Sequence, residues 1–332
     1  MINYNEGILR LKYTEFKKKH ENGERFSVYL IDGEDAFFRE KAWALIKDTL
    51  VSEPMLNLAT FDGQDMDENQ FVASLYQYPF MSEYRVTLVR DYYPKAEKIN
   101  GKLQEFITNP PSGEALVIIN EKIHEGFKKY DNICHVECKR EEAPIIVRWI
   151  KAKCAANGVA ISDQTANLLA EYCLLDMTRI SQETEKLIHY AFDKKVIERQ
   201  DIDNNVHKDT EVKIYELTDA IGRKKFDVAL SIISDMSDRN EPPIRILNSI
   251  YNYFRRLLLV AISDLRDSEI AEIFSIKEYA VKKAREQAKM FKKVALKKTV
   301  DMLIEIDYKI KAGYISQESS MWLAVFKIMT GE

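Results

Sequence analysis

The sequence predicts an α/β domain with a mainly parallel sheet, followed by two all-helical domains. Two observations support this fold class. Up to about residue 140, short apolar runs alternate with helical periodicity, which is typical of a parallel sheet. Beyond that point the residues that interrupt helices become rare, because the first 144 residues hold seven of the 11 glycines and six of the 8 prolines. A chain of 332 residues is long enough for two or three such domains.

Five apolar runs predict the strands of the first domain. Buried parallel strands read as short continuous apolar runs that end at turn residues. The runs are 27–33, 57–62, 84–89, 115–120 and 133–138. After the first run, a helix is predicted with one apolar face made of Phe38, Ala42, Leu45 and Ile46.

From residue 143 onward the apolar residues recur with the 3.6-residue period of helices. The first stripes predict a small bundle that ends near His207. Longer stripes from Thr210 to the end of the chain predict another helical domain. We therefore expect three domains, at 1–140, 141–209 and 210–332.

Composition and charge exclude several classes of protein. The net charge of −4 argues against stand-alone electrostatic binding of DNA, although residues 211–332 carry +3 and residues 1–210 carry −7. No apolar run reaches the roughly 18–20 residues of a membrane span, and the acidic, polar start is unlike a secretory signal. Four cysteines do not make a disulfide framework. We expect a cytoplasmic protein without a membrane partner.

The turn after the first strand is where an α/β nucleotide-binding protein holds phosphates. A P-loop requires Gly-x-x-x-x-Gly-Lys-Ser/Thr. Only Gly33 is kept here, and Phe38, Arg39 and Glu40 stand where glycine, lysine and a hydroxyl are needed. The acidic residues 34–35 would repel phosphates from the helix start. We expect no ATP and no other cofactor, with an active ATPase as the alternative.

Possible metal and catalytic residues do not form a complete set. Cys134, His135 and Cys138 lie close in sequence, but zinc sites usually have four ligands, and two cysteines on one strand face would be about 13 Å apart. Asp91 follows a predicted strand without a second acid beside it, so we interpret it as a turn residue. No metal site and no catalytic residue is predicted, which argues against an enzyme.

A basic segment lies at 275–300, where nine basic residues, including Lys277, meet two acidic ones. A basic stripe beside an amphipathic helix could contact DNA phosphates. The candidates are Lys282, Lys283, Arg285 and Lys289. A solvated helix face is the simpler interpretation. A helical DNA-binding regulator that reads DNA through residues 268–293 remains an alternative function.

An apolar cluster precedes the strand at 84–89. Pro79 restricts Tyr78 to extended conformations and ends any preceding helix, which leaves Phe80 and Met81 in a loop or at a helix tip. Exposed aromatic and methionine side chains are good anchors for an apolar groove on another protein. The equal alternative is that they fold back and cover the sheet.

Taken in order along the chain, these segments resemble the delta-subunit family of the bacterial DNA polymerase III clamp loader. Residues 78–86 are similar to the family's Pro-Phe segment that leads into an Arg-Val strand, and residues 183–187 to its Glu-x-Glu-Lys-Leu helix. Further similar segments are 29–38, 197–202, 279–283 and 307–313. The resemblance covers nearly the whole chain, and its order and spacing are specific.

The resemblance implies a RecA-like AAA+ module at 1–140 without a working P-loop, a lid bundle at 141–209 and a collar at 210–332. It implies a subunit without catalytic activity that binds and opens the sliding clamp (beta) for loading onto primed DNA. Its implied partners are the tau/gamma and delta prime subunits of a hetero-pentamer. The family's clamp-binding apolar pair falls on Pro79 and Phe80, with Tyr78 and Met81 as flanking candidates.

Overall fold

Two compact units make up the chain, Met1–Ile145 and Ile146–Glu332. The computed structural model describes residues 9–95, 99, 101–122, 125–127, 129–238, 241–276 and 278–331. The acidic start of the chain and Lys277 lie outside these described residues.

A six-stranded parallel sheet forms the centre of the first unit. Its strands are β1 (Leu9–Lys12), β2 (Val28–Asp32), β3 (Leu58–Asp62), β4 (Arg85–Arg90), β5 (Glu114–Asn120) and β6 (Cys134–Glu137). Their order across the sheet is β1-β6-β2-β5-β4-β3, and every neighbouring pair is parallel. Every residue of β2 and β5 is buried, which explains why these strands are continuous apolar runs in the sequence.

Helices provide the crossovers that parallel strands require. They are α1 (Tyr13–Glu21), α2 (Ala36–Leu50), α3 (Pro54–Asn57), α4 (Glu68–Ser74) and α5 (Gly101–Thr108). In the core against α4 and α5, Phe71 and Phe106 pack with Leu116 and Ile118 of β5, and all four are fully buried. On the predicted face of α2, Phe38, Ala42 and Ile46 are buried and Leu45 is half-buried.

The sequence predicts five of the six strands and misses β1. This strand is only four residues long, pairs with β6 alone among the residues that the structure describes, and buries only Leu11. Its alternating Leu-Arg-Leu-Lys pattern therefore lacks the apolar run that identifies the other strands.

The second unit is almost entirely helical. Its helices are α6 (Ala143–Ala156), which begins just before the unit boundary, α7 (Asp163–Tyr172), α8 (Met177–Tyr190), α9 (Arg199–Asn205), α10 (Thr210–Gly222), α11 (Phe226–Asp238), α12 (Pro243–Ile262), α13 (Asp267–Phe274), α14 (Glu278–Ala288), α15 (Lys293–Lys311) and α16 (Gln317–Thr330). The long α12 packs against α10, α14, α15 and α16 through a buried face that includes Ile250, Phe254 and Leu257. Pro243 starts this helix at a position where a backbone N–H has no partner in any case.

A short parallel ladder interrupts the helices of the second unit. Strands β7 (Ala160–Ile161) and β8 (Val196–Ile197) have two residues each, too few for any period to show in the sequence. The predicted fold class, a parallel α/β module followed by a helical region, is confirmed. A division of the helical region at residue 209 stays a prediction. Among the residues that the structure describes, no helix combines the length and apolar character needed to cross a bilayer.

Candidate functional site

The loop between α4 and β4 carries the residues that the sequence predicts as a protein contact. Tyr78, Phe80 and Met81 are exposed, with 56% of Phe80 and 91% of Met81 accessible to solvent. Met81 has a φ of 49°, a left-handed conformation in which non-glycine residues mark tight turns. Of the two arrangements that the sequence left open, these side chains adopt the exposed one.

Pro79 differs from its neighbours because its ring packs inward. It is half-buried, and a Cβ atom placed on Gly113 would lie only 3.4 Å from its Cγ. Gly113 has a φ of 85°, a conformation that favours glycine, and the Pro79 ring lies at van der Waals distance from it. Pro79 therefore anchors the loop to the start of β5, and Tyr78, Phe80 and Met81 make its exposed surface.

A second exposed apolar segment adjoins this loop. The single-turn helix α3 presents Leu56 and Met55, which is 98% exposed. The side chain of Asn57, the last residue of α3, donates to the carbonyl oxygen of Phe80 at 3.1 Å and accepts from the backbone N–H of Phe80 at 2.8 Å. The surface that results, here called the apolar tip, consists of Met55, Leu56, Tyr78, Phe80 and Met81.

Sequence reasoning missed the part of the apolar tip that α3 contributes. A helix of four residues shows no periodicity, so Met55 and Leu56 read as an ordinary approach to the next strand. The available signal was an apolar pair directly after Pro54, a residue that commonly occupies the first turn of a helix.

Arg85, the first residue of β4, adds further links beneath the apolar tip. Its guanidinium donates to the carbonyl oxygen of Leu56 and, at 2.6 Å, to Oε1 of Gln77. The Oγ atoms of Ser52 and Ser82 lie 2.6 Å apart. The loop and α3 are thus held together by side-chain hydrogen bonds as well as by the chain itself.

The apolar tip and the Gly33 turn, defined as residues 33–40, lie at opposite ends of the parallel strands. The segments that form the apolar tip precede β3 and β4, and Gly113 precedes β5. The apolar tip is therefore at the amino-terminal ends of the strands. The Gly33 turn follows β2, at the carboxyl-terminal ends of the strands, where α/β proteins bind nucleotides.

At the Gly33 turn, the chain makes internal contacts where a P-loop would bind phosphates. Gly33 has a φ of 124°, and a Cβ atom there would lie 2.3 Å from the carbonyl oxygen of Cys138. The same oxygen accepts from the backbone N–H of Asp35 at 3.0 Å. Glycine is therefore required at position 33 by the close approach of the chain after β6, independently of any ligand.

The start of α2 already has an anionic partner. The carboxylate of Asp35 accepts from the backbone N–H groups of Phe37 and Phe38 at 3.0 and 3.3 Å, the donors that a phosphate would use. The guanidinium of Arg39 donates to the carbonyl oxygen of Gly33.

The other two predicted positions of the degenerate loop also make internal contacts. Phe38 is buried in the core, where a P-loop has a glycine. Glu40 accepts two hydrogen bonds from Arg90, at 2.6 and 3.0 Å. Gly33, Phe38, Arg39 and Glu40 are thus all engaged within the first unit.

The cysteine and histidine cluster of β6 is part of the core. His135 Nε2 lies 2.7 Å from Oδ1 of Asp32, and both side chains are buried. Burial raises the pKa of the Cys134 and Cys138 thiols well above the usual range, so they are not activated as nucleophiles. Within the described part of the chain no three His, Cys, Asp or Glu side chains form a possible metal site. Asp91, with a φ of 52°, occupies a turn and donates its backbone N–H to Ile119.

The four basic candidates in α14 and directly after it fall into two groups. Lys282 and Lys289 are exposed. Lys283 lies 3.3 Å from a carboxylate oxygen of Glu171, and Arg285 donates to Asp267 at 2.9 Å. Two of the four predicted residues therefore face solvent and two have carboxylate partners inside the second unit.

Residues 268–293, through which a DNA-binding regulator would read DNA, include most of two successive helices, α13 and α14. Between α13 and α14, Ser275 adopts a left-handed conformation with a φ of 52°. One face of α14 is buried through Val281, Ala284 and Ala288, and Gln287 donates to the carbonyl oxygen of Tyr215. This face is occupied by packing, which leaves the side of Lys282 and Lys289 for any outside partner.

Comparison with known proteins identifies similar sequences over both units. Residues 29–139 match the family model described as DNA polymerase III, delta subunit. Residues 211–328 match the model described as DNA polymerase III delta subunit, C-terminal domain. Together the two matches span more than two thirds of the chain.

Individual relatives agree with these matches. DNA polymerase III subunit delta of Bacillus subtilis (strain 168) is 25% identical over 337 residues, which cover 94% of this chain and 95% of that protein. The solved structure of the Bacillus subtilis DNA clamp loader delta protein is 24% identical, covers 96% of this chain and 99% of its own, and superposes with a TM-score of 0.78. At this identity the structural likeness is one of fold.

Proposed function

The chain belongs to the DNA polymerase III delta-subunit family, and from this premise we propose that it binds a sliding clamp through the apolar tip and opens it for loading onto primed DNA. The observation that carries the proposal is the apolar tip itself. Five large apolar side chains are exposed together on two linked segments. Exposed apolar patches of this kind mark protein interaction sites.

The shape of the apolar tip suits an apolar pocket on the partner. Phe80 is the central anchor, because its backbone is held on both sides by Asn57 while its ring remains largely in solvent. Aromatic anchors that enter a pocket commonly dominate the energy of an interface. Tyr78, Met81 and Met55 flank it, and the methionines can adapt to an irregular pocket wall. Pro79 acts through the loop, by packing on Gly113.

Opening follows from a difference in affinity. A ligand shifts a conformational equilibrium only as far as it prefers one state, so the apolar tip has to bind the open clamp more tightly than the closed ring. Each tenfold preference supplies about 1.4 kcal/mol of opening work. The sheet behind the apolar tip, whose strands β2 and β5 are fully buried, gives this contact a rigid support.

We propose further that the chain works without hydrolysing ATP and has no catalytic role of its own. Support comes from the Gly33 turn, where Asp35 occupies the helix donors and places a negative charge where a phosphate would bind. Partner subunits that bind ATP would then supply the switch that makes the apolar tip accessible in the complex.

The helical region supports a role in assembly. We propose that residues 210–332 form a collar that joins a hetero-pentamer with the tau/gamma and delta prime subunits, and that residues 141–209 form a lid. Exposed apolar side chains on the last two helices, among them Tyr308 of α15 and Phe326 of α16, support this assignment. Lys282 and Lys289 are the candidates for contact with the DNA phosphates of the primed template.

The test is a binding and opening experiment with a purified sliding clamp. The chain should bind the clamp, and a pair of fluorophores across one clamp interface should report separation when it is added. Phe80→Ala should weaken binding by roughly 30- to 1,000-fold, which corresponds to loss of a central aromatic anchor. Phe192→Ala is the matched control, because Phe192 is 62% exposed in the second unit. Equal clamp affinity for Phe80→Ala and the parent chain would refute this assignment.

A further inference from the structure

We infer that Asn57 is the positioning residue of the apolar tip, which holds the backbone of Phe80 so that its ring is ready to enter the clamp. The inference rests on the proposed function, because it concerns how the same surface is held. It adds a residue that is not itself exposed and that belongs to a different segment from the predicted contact loop.

Both polar atoms of the Asn57 side chain are used. Nδ2 donates to the carbonyl oxygens of Ser52 at 3.0 Å and Phe80 at 3.1 Å, and Oδ1 accepts from the N–H of Phe80 at 2.8 Å. Since a carbonyl oxygen can only accept, the reversed amide would set Oδ1 against both carbonyls and lose all three bonds. The orientation of the amide is therefore determined by its partners.

The burial of Asn57 makes this arrangement specific. Asn57 is fully buried, whereas Met55, Leu56 and Phe80 around it are exposed. A buried amide that loses its hydrogen-bond partners is strongly unfavourable, so the loop cannot move away without leaving polar atoms unsatisfied. The energetic penalty of an unpaired amide thus keeps an exposed loop in one conformation.

A single conformation before binding favours association. A loop that must be ordered on binding reduces affinity by the entropy of that ordering, whereas a preorganised loop avoids the loss. More than half of the Phe80 side chain lies in solvent, so the fixed backbone is its main restraint. Asn57 supplies that restraint at the N–H and the C=O of the same residue.

The first test uses the parent chain and does not depend on any variant folding. Hydrogen exchange at the Phe80 amide should be at least about tenfold slower than for an unprotected amide, because the N–H is bonded to a buried oxygen. Exchange at the unprotected rate would overturn the inference. In Asn57→Ser the same amide should lose its protection.

The second test separates positioning from general stability by a double-mutant cycle. Asn57→Ser should weaken clamp binding about tenfold when Phe80 is present and less than about twofold in the Phe80→Ala background. An equal loss in both backgrounds would indicate a merely structural role and overturn the inference. Asn69→Ser, at an exposed position of α4, is the control and should leave affinity unchanged.

The two levels of proposal fail in different ways. Unchanged binding by Phe80→Ala refutes the proposed contact surface, whatever Asn57 does. Weak binding by Phe80→Ala together with full binding by Asn57→Ser refutes only the positioning role. Thermal unfolding of each variant, followed in parallel, identifies any loss that comes from a smaller folded fraction.

Discussion

Arg85 and Glu114 are register partners in the parallel pair of β4 and β5. Each is the first residue of its strand, and both lie beneath the apolar tip. Arg85 donates to the carbonyl oxygen of Leu56, and Glu114 is buried. Burial raises the pKa of Glu114 to about 7, although the positive charge of Arg85 opposes this shift. The carboxyl group of Glu114, at the start of β5, is thus poised to titrate near neutral pH.

This relationship predicts a pH-dependent stability. Because the pKa of Glu114 is higher in the folded chain than its ordinary value of 4.5, the folded state binds the proton more tightly. The stabilisation is full below pH 4.5 and is lost as the pH rises through about 7. Over this pH window the free energy of unfolding of the parent chain should fall by about 1–2 kcal/mol because of Glu114. In Glu114→Gln this contribution should be absent.

Urea unfolding at several pH values measures this contribution. The difference between the parent chain and Glu114→Gln isolates one group from the others that titrate in the same range. Glu105→Gln, at an exposed position of α5, should leave the pH dependence unchanged. Parallel pH profiles for the parent and Glu114→Gln would contradict the prediction.

Gly33 is predicted to be a structural requirement of the turn. Gly33→Ala should destabilise the chain by more than about 3 kcal/mol. The new Cβ would lie 2.3 Å from the carbonyl oxygen of Cys138, and the alanine would have to adopt a positive φ. Gly158→Ala is the control, since Gly158 also has a positive φ but nothing within 4 Å of the added Cβ. It should lose only about 1 kcal/mol. Similar midpoints in denaturant for the two variants would be inconsistent with the steric explanation.

Local patterns determined how much of the fold could be predicted. Strands β2 and β5 are buried on both faces, so they appear as apolar runs, whereas the edge strand β1 alternates and was missed. Pro79 predicted a loop before β4, because the restriction that proline imposes is local.

The predicted site was incomplete because its missing parts depend on distant partners. Asn57 meets Phe80 only after the sheet has brought the two segments together. Likewise, the basic pattern of α14 could not show that Lys283 would pair with Glu171, which lies far away in the sequence. Sequence identifies which side chains are chemically suitable, and the fold decides which of them remain available.

ATP should not stabilise the isolated chain. A ligand at 100 times its dissociation constant raises the free energy of unfolding by about 2.7 kcal/mol. At the Gly33 turn the carboxylate of Asp35 already occupies the helix donors, so millimolar ATP with magnesium should leave the thermal midpoint unchanged. A P-loop ATPase in the same assay provides the positive control. A midpoint that rises with ATP concentration would favour the alternative of an active ATPase.

The α3 segment should contribute to clamp binding although the sequence did not identify it. Met55 is 98% exposed, so its truncation removes almost no internal packing and should leave the free energy of unfolding unchanged. If the apolar tip is one surface, Met55→Ala combined with Leu56→Ala should weaken clamp binding about tenfold, measured by surface plasmon resonance. Val294→Ala, an exposed apolar position of α15, should have no effect. Full affinity of the double variant would limit the contact to the loop that contains Phe80.

Any contact with DNA should depend on the exposed Lys282 of α14 and Lys289 just after it, rather than on the basic residues that have carboxylate partners. Each phosphate contact contributes about one unit to the slope of log affinity against log salt concentration. In the assembled clamp loader, Lys282→Ala with Lys289→Ala should therefore reduce that slope by about two without loss of stability, since both side chains are exposed. Lys224→Ala with Lys225→Ala, also at exposed positions, makes the same change in net charge away from α14. Equal salt slopes for the two double variants would show that Lys282 and Lys289 make no phosphate contact, because an effect of net charge alone does not distinguish the variants.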